Sequence, residues 1–73
     1  MMTFYEWLCL QSELDGPIGD LARDAMRDRY RPQENTYGAW HYRIKHACQS
    51  DADILAAFEE AWQGYQRHIA GEP

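Results

Sequence analysis

Ile18, Leu21, Ala22, Ala25 and Met26 recur at the i, i+3, i+4, i+7, i+8 spacing of a single helix face, with no polar residue intruding. That pattern confines the stretch to an amphipathic helix. Pro17 marks its start, because a first-turn proline has no amide to leave unpaired, and Asp15-Gly16 supply the break before it. The spacing predicts a helix from Pro17 to about Asp28. Its other face reads Asp20, Arg23, Asp24, Arg27, Asp28, which pairs Asp20 with Arg23 and Asp24 with Arg27 at i, i+3 and describes a solvated surface. The three acids at four-residue steps could also be read as a metal stripe. Hard cations take more oxygen ligands than this and the interleaved arginines would compete, so no metal is expected.

Three further segments show the same period. Thr3 followed by Glu6 forms a capping box, so a helix should begin at Phe4, with Phe4, Trp7, Leu8, Gln11 and Leu14 on one side and Cys9 peripheral. Arg29 to Asn35 holds Pro32 and lacks periodicity, which makes it a loop anchored by Tyr30, with Asn35 or Thr36 capping a third helix. In that helix Tyr37, Trp40, His41, Ile44, Ala47 and Cys48 form the apolar side, and Tyr42, Arg43, Lys45 and His46 project elsewhere. Ser50 with Asp53 is a capping pair for the last and longest helix. Its apolar positions are Ile54, Phe58, Ala61, Trp62, Tyr65 and Ile69, with Gly71 and Pro73 closing it. Phe58 and Trp62 should anchor the core.

Composition supports an all-α fold. The chain has no valine and two threonines against nine alanines, so β-branched residues are scarce. Leu, Ile, Val and Phe total only 11 of 73, under the roughly 20% below which chains tend to be disordered. Three Trp and five Tyr offset the shortfall, since each buried aromatic removes about 150–250 Å² from water. One domain spanning 1–73, a compact bundle of four to five short helices with residues 1–2 and 70–73 frayed, is the expected architecture. The longest unbroken aliphatic or aromatic run, Ile54–Phe58, is far short of the ~20 residues that span a bilayer. The first cation is Arg23, whereas a secretory leader opens on basic residues, so a cytoplasmic location is expected. Cys9 and Cys48 lie far apart with no C-x-x-C pattern and read as reduced thiols.

Charge is unevenly distributed along the chain. Residues 1–22 sum to −4 and residues 50–73 to −4, while residues 23–49 sum to +3, within a net charge of −5. A basic middle segment lies between acidic ends.

The blocks Thr3-Phe4-Tyr5-Glu6-Trp7-Leu8 and Pro17-Ile18-Gly19-Asp20-Leu21-Ala22-Arg23-Asp24, a later Trp40, and Ala57-Phe58-Glu59-Glu60-Ala61-Trp62-Gln63-Gly64-Tyr65 occur in order over about residues 3 to 66. Together they resemble the bacterial YozE family. The resemblance implies a sterile-alpha-motif-like helical fold and carries no catalytic residues or cofactor with it. Most of the shared positions coincide with the expected core. Gly19 and Asp20 do not, and they point to a close helix approach with a cap or salt bridge. The cluster Trp40-His41-Tyr42-Arg43-Ile44-Lys45-His46 and the arginine-bearing loop 29–35 depart from the family pattern toward basic and aromatic character.

The leading functional expectation is a non-enzymatic protein-interaction module that binds a protein partner or another copy of itself, since similar sterile-alpha-motif domains pair through complementary patches. The candidate basic patch is Arg29, Arg31, Tyr42, Arg43, Lys45 and His46, and the candidate acidic patch is Asp51, Asp53, Glu59 and Glu60. Charge balance within one molecule is the plain alternative for any of these residues. A second reading is nucleic-acid binding through residues 23–49, with Arg29, Arg31, Arg43 and Lys45 on phosphates and Tyr42 stacking, although the net charge opposes approach. A third is an acidic mimic of nucleic acid that inhibits a nucleic-acid-processing protein. Ser12, Ser50, Cys9, Cys48, His41, His46 and His68 show no nucleophile and base spacing, so neither catalysis nor a cofactor, membrane or small-molecule substrate is expected. His41 reads as a packed edge residue.

Overall fold

The computed structural model describes residues 1–47 and 51–71. Among them are four helices, α1 Phe4–Cys9, α2 Pro17–Arg27, α3 Tyr37–Ala47 and α4 Ala52–Ile69. The capping box forms as its sequence implies. Thr3 Oγ1 accepts from the Glu6 amide at 3.2 Å, and Glu6 Oε1 accepts from the Thr3 amide at 2.9 Å. The Thr3 amide and then the Thr3 hydroxyl, which donates to the same oxygen at 3.1 Å, hold the Glu6 carboxyl below its usual range.

α1 is shorter than its periodicity suggests. After Cys9 the chain tightens into three-residue steps, with amides of Leu10, Gln11, Ser12 and Leu14 bonded to carbonyls of Trp7, Leu8, Cys9 and Gln11. Leu14, expected on the helix's apolar side, is therefore exposed. The tight turn meets α2 at Gly19, where a Cβ would overlap the Leu14 carbonyl oxygen. Arg23 closes the joint by donating to the carbonyls of Ser12 at 2.6 Å and Leu14 at 3.3 Å while paired with Asp20. Gly19 and Asp20 thus fill distinct roles in one joint: the first admits the turn's backbone, and the second holds the guanidinium that caps it.

The α2 pattern buries Leu21, Ala22 and Ala25, half-buries Ile18 and leaves Met26, in the last turn of α2, exposed. Thr36 caps α3 by accepting from the Ala39 amide at 3.2 Å. Asp51 caps α4, accepting from the amides of Asp53 at 2.9 Å and Ile54 at 3.4 Å. The expected partner of Asp53, Ser50, lies outside the described residues, as does Cys48. α4 is the longest helix, and Gly71 at φ +78 follows it in the left-handed region that glycine tolerates. Ile69, in its last turn, is exposed rather than core.

α1, α2 and α3 all pack on α4, and α1 also touches α2. Phe4 is the hub of the core and is fully buried, as are Leu8 and Phe58. The rings of Trp62, Trp40, Tyr65 and Phe58 surround it at centroid distances of 4.8, 5.1, 5.6 and 5.8 Å. Each such buried ring contributes about 1.5–3 kcal/mol of transfer free energy, which is how a chain poor in Leu, Ile and Val sustains a core.

A polar strap secures the first residues over this hub. Asn35 Oδ1 accepts from the Phe4 amide at 2.8 Å, and its Nδ2 donates to the Tyr65 hydroxyl at 3.0 Å. Tyr65 in turn donates to the Met2 carbonyl at 2.7 Å. Asn35, one of two candidates to cap α3, is committed to this bridge instead.

Candidate functional site

The basic candidates divide into two groups. Arg43 folds back to Asp28 through two hydrogen bonds of 2.8 Å, from Nε and Nη2. Those bonds hold the Asp28 carboxyl below its usual range and push Arg43 up. Arg31 lies over the Tyr5 ring at 4.1 Å from its centroid, a cation–π contact. The hydrogen bond with Cys9 and then burial raise the Tyr5 hydroxyl, against the pull of Arg31. Arg29, Lys45 and His46 remain exposed, and neither Arg29 nor Lys45 has an ion-pair partner among the described residues. Tyr42 packs at a tilt against His46, with ring centroids 4.2 Å apart, and still exposes 67% of its surface.

Tyr30 departs from expectation. Rather than anchoring the loop, it exposes 71% of its surface at the end of α2. Its amide donates to Asp28 Oδ1 at 2.9 Å, and the Arg43 guanidinium sits 5.7 Å from its ring centroid. Backbone bonding to Asp28 fixes the turn, leaving the ring outside.

The acidic candidates divide similarly. Asp51 is committed to the α4 cap, and Glu59 accepts from the Tyr37 hydroxyl, the leading cause of that hydroxyl's raised pKa. Asp53 and Glu60 are exposed and lie two turns apart on one face of α4. His41 is half-buried between Tyr37 and Phe58, at centroid distances of 5.4 and 6.1 Å, as a packed edge residue would be.

Two clefts adjoin these groups. The backbones of α2 and α3 stay apart among the described residues, and a cavity of about 240 Å³ lies between the two helices. Leu21, Ala25, Trp40, Ile44, Ala47 and Ile54 supply its apolar lining, with Asp24, Asp28 and Arg43 as polar lining. A second cleft of about 440 Å³ runs between α2 and α4 and shares Leu21, Asp24 and Ile54 with the first. Asp20, Asp24 and Asp53 line it together with Arg23 and Arg27. The three acids of the α2 stripe each face an arginine: Asp20 faces Arg23, Asp24 faces Arg27 and Asp28 faces Arg43.

Sequence reasoning missed the Asn35 bridge, the Arg43–Asp28 pair and the exposure of Tyr30. Only Asn35 left a local signal, being a short amide side chain in a loop with two cap candidates side by side. Among the described residues no helix is long and apolar enough to cross a membrane. Comparison with curated proteins and comparison with solved structures each give no match. A family model described as the YozE SAM-like fold matches residues 3–67, nearly the whole chain, in accord with the all-helical architecture. The chain therefore belongs to the YozE SAM-like family.

Proposed function

We propose that this protein is a small non-enzymatic protein–protein interaction module whose docking face is the basic, aromatic surface of the α2–α3 loop and α3. The observation that carries the reading is what remains after internal pairing. Arg31 and Arg43 are occupied within the chain, whereas Arg29, Lys45, Tyr30 and Tyr42 face solvent. Tyrosine and arginine are enriched at protein interfaces because they bring large contact area together with directed polar groups. The fold alone assigns no partner, so the reading rests on these side chains.

Photoactivated cross-linking of the tagged chain in cells, whose yield does not depend on the chain's one lysine, tests it. Adducts should diminish for the Arg29→Glu, Lys45→Glu double variant and persist for Glu13→Gln, on the exposed turn after α1. Adducts unaffected by the double variant would refute the docking face.

A further inference from the structure

The α2–α3 cavity and the Tyr30 loop occupy one region of the surface, because Arg43 lines the first and lies against the ring of the second. A cavity of about 150 Å³ accommodates a benzene ring, so 240 Å³ has room for one phenol side chain. The floor is apolar, and Asp24 is an exposed acid in its lining whose one ion-pair partner among the described residues is an equally exposed Arg27 at 3.4 Å. Tyr30 is an exposed ring, and Arg29 beside it is an exposed cation with no ion-pair partner among the described residues. Anchor and cation on one side, and apolar slot and acid on the other, are complementary in shape and sign.

We propose that the occupant of the α2–α3 cavity is Tyr30 of a second copy of this chain, with Arg29 of that copy against Asp24. The inference rests on the interaction-module reading and names its partner. Donor and acceptor share one face, so two copies satisfy each other reciprocally around a two-fold axis and the assembly closes at two. This differs from a head-to-tail contact between the basic segment and the exposed α4 acids Asp53 and Glu60, which leaves an unpaired surface at each end and grows into chains.

Light scattering of the full chain over a range of concentrations tests the pairing, with circular dichroism to confirm folding of every variant. The wild type should pass from monomer to dimer and no further. Arg29→Asp and Asp24→Arg should each weaken the dimer by about tenfold, since each exposed contact is lost twice in a symmetric pair. The double variant should recover the dimer, because the charges are exchanged within each reciprocal contact. Tyr30→Ala should weaken it by about a hundredfold or more, as loss of a central aromatic anchor does. Glu60→Lys should leave it unchanged. A wild type that stays monomeric at all concentrations overturns the pairing, as does growth beyond two copies or a double variant that stays monomeric. The module reading stands or falls separately, on the cross-linking of the Arg29, Lys45 variant.

Discussion

Gly19→Ala isolates the contact on which the α1–α2 joint depends. A methyl group at this position meets the Leu14 carbonyl oxygen at a distance no real carbon tolerates, and the obstacle is backbone rather than the end of a flexible side chain. The turn must move outward, which costs about 2 kcal/mol by analogy with overpacked cores. The same shift draws Leu14 O away from Arg23 Nη1, which also lies within 3.4 Å of the new methyl, and a lost hydrogen bond adds about 1 kcal/mol. Against this, alanine gains about 1 kcal/mol over glycine inside a helix. The net loss is about 2 kcal/mol, or a melting point lower by about 8–16 °C in a domain of this size. Gly38→Ala is the internal control. It lies in the first turn of α3 with nothing within 4 Å of where the added methyl would sit, so helix propensity acts unopposed and stability should rise by about 0.5–1 kcal/mol. Thermal and urea denaturation followed by circular dichroism measure both. A Gly19→Ala protein as stable as the wild type would refute the reasoning, because close approach would then not be why glycine occupies the position.

Asn35→Ala removes the acceptor of the Phe4 amide and the donor to Tyr65, and should cost about 1–3 kcal/mol in urea denaturation with faster exchange of the Phe4 amide. Unchanged exchange at Phe4 would contradict the strap. Tyr65→Phe keeps the buried ring and loses only the bond to the Met2 carbonyl and its acceptor role, so it should cost about 1 kcal/mol and leave the core intact. Asp28 has a folded pKa below its unfolded value, chiefly through the Arg43 hydrogen bonds. Its contribution is therefore full above the unfolded carboxylate range of about 3.9 and disappears as pH falls through the folded pKa. The wild type should exceed Asp28→Asn in stability at about pH 6, and the gap should close toward about pH 2. A gap independent of pH would exclude the ion pair as its source.

Periodic signals were legible wherever burial follows a helix's own face. The capping box at Thr3 and Glu6, the buried face of α2 and the anchors Phe58 and Trp62 all follow from local spacing. Met26 and Ile69 lie in the last turns of α2 and α4 and are exposed, whereas Leu14 lies beyond the end of α1, in the tight turn that replaces the expected helix. The candidate site was less legible. Whether an arginine faces solvent depends on an acid or ring supplied from a distant part of the chain, Asp28 for Arg43 and Tyr5 for Arg31, and no local period encodes that. Tyr30 illustrates the converse: its backbone is fixed by Asp28, so an aromatic with the pattern of a loop anchor is free to face outward.

The basic segment's net charge of +3 therefore overstates what a partner meets. Two of its arginines are held at internal sites where moving them would leave Asp28 uncompensated or Tyr5 uncovered, and Arg23 and Arg27 face acids of their own helix. The cations left to an approaching partner, Arg29 and Lys45, are few, and exposed pairs of this kind each contribute only about 0.2–1 kcal/mol. Charge alone thus cannot supply a stable contact. An interface built here needs apolar anchors to set its affinity, with charge setting approach and register. The surface offers two aromatic rings beside those cations, Tyr30 and Tyr42, and Tyr42 already covers part of one face with His46. Tyr30 is the ring with an adjoining cation and a slot of matching size on the same surface, which is why substitution at Tyr30 should outweigh any single charge reversal.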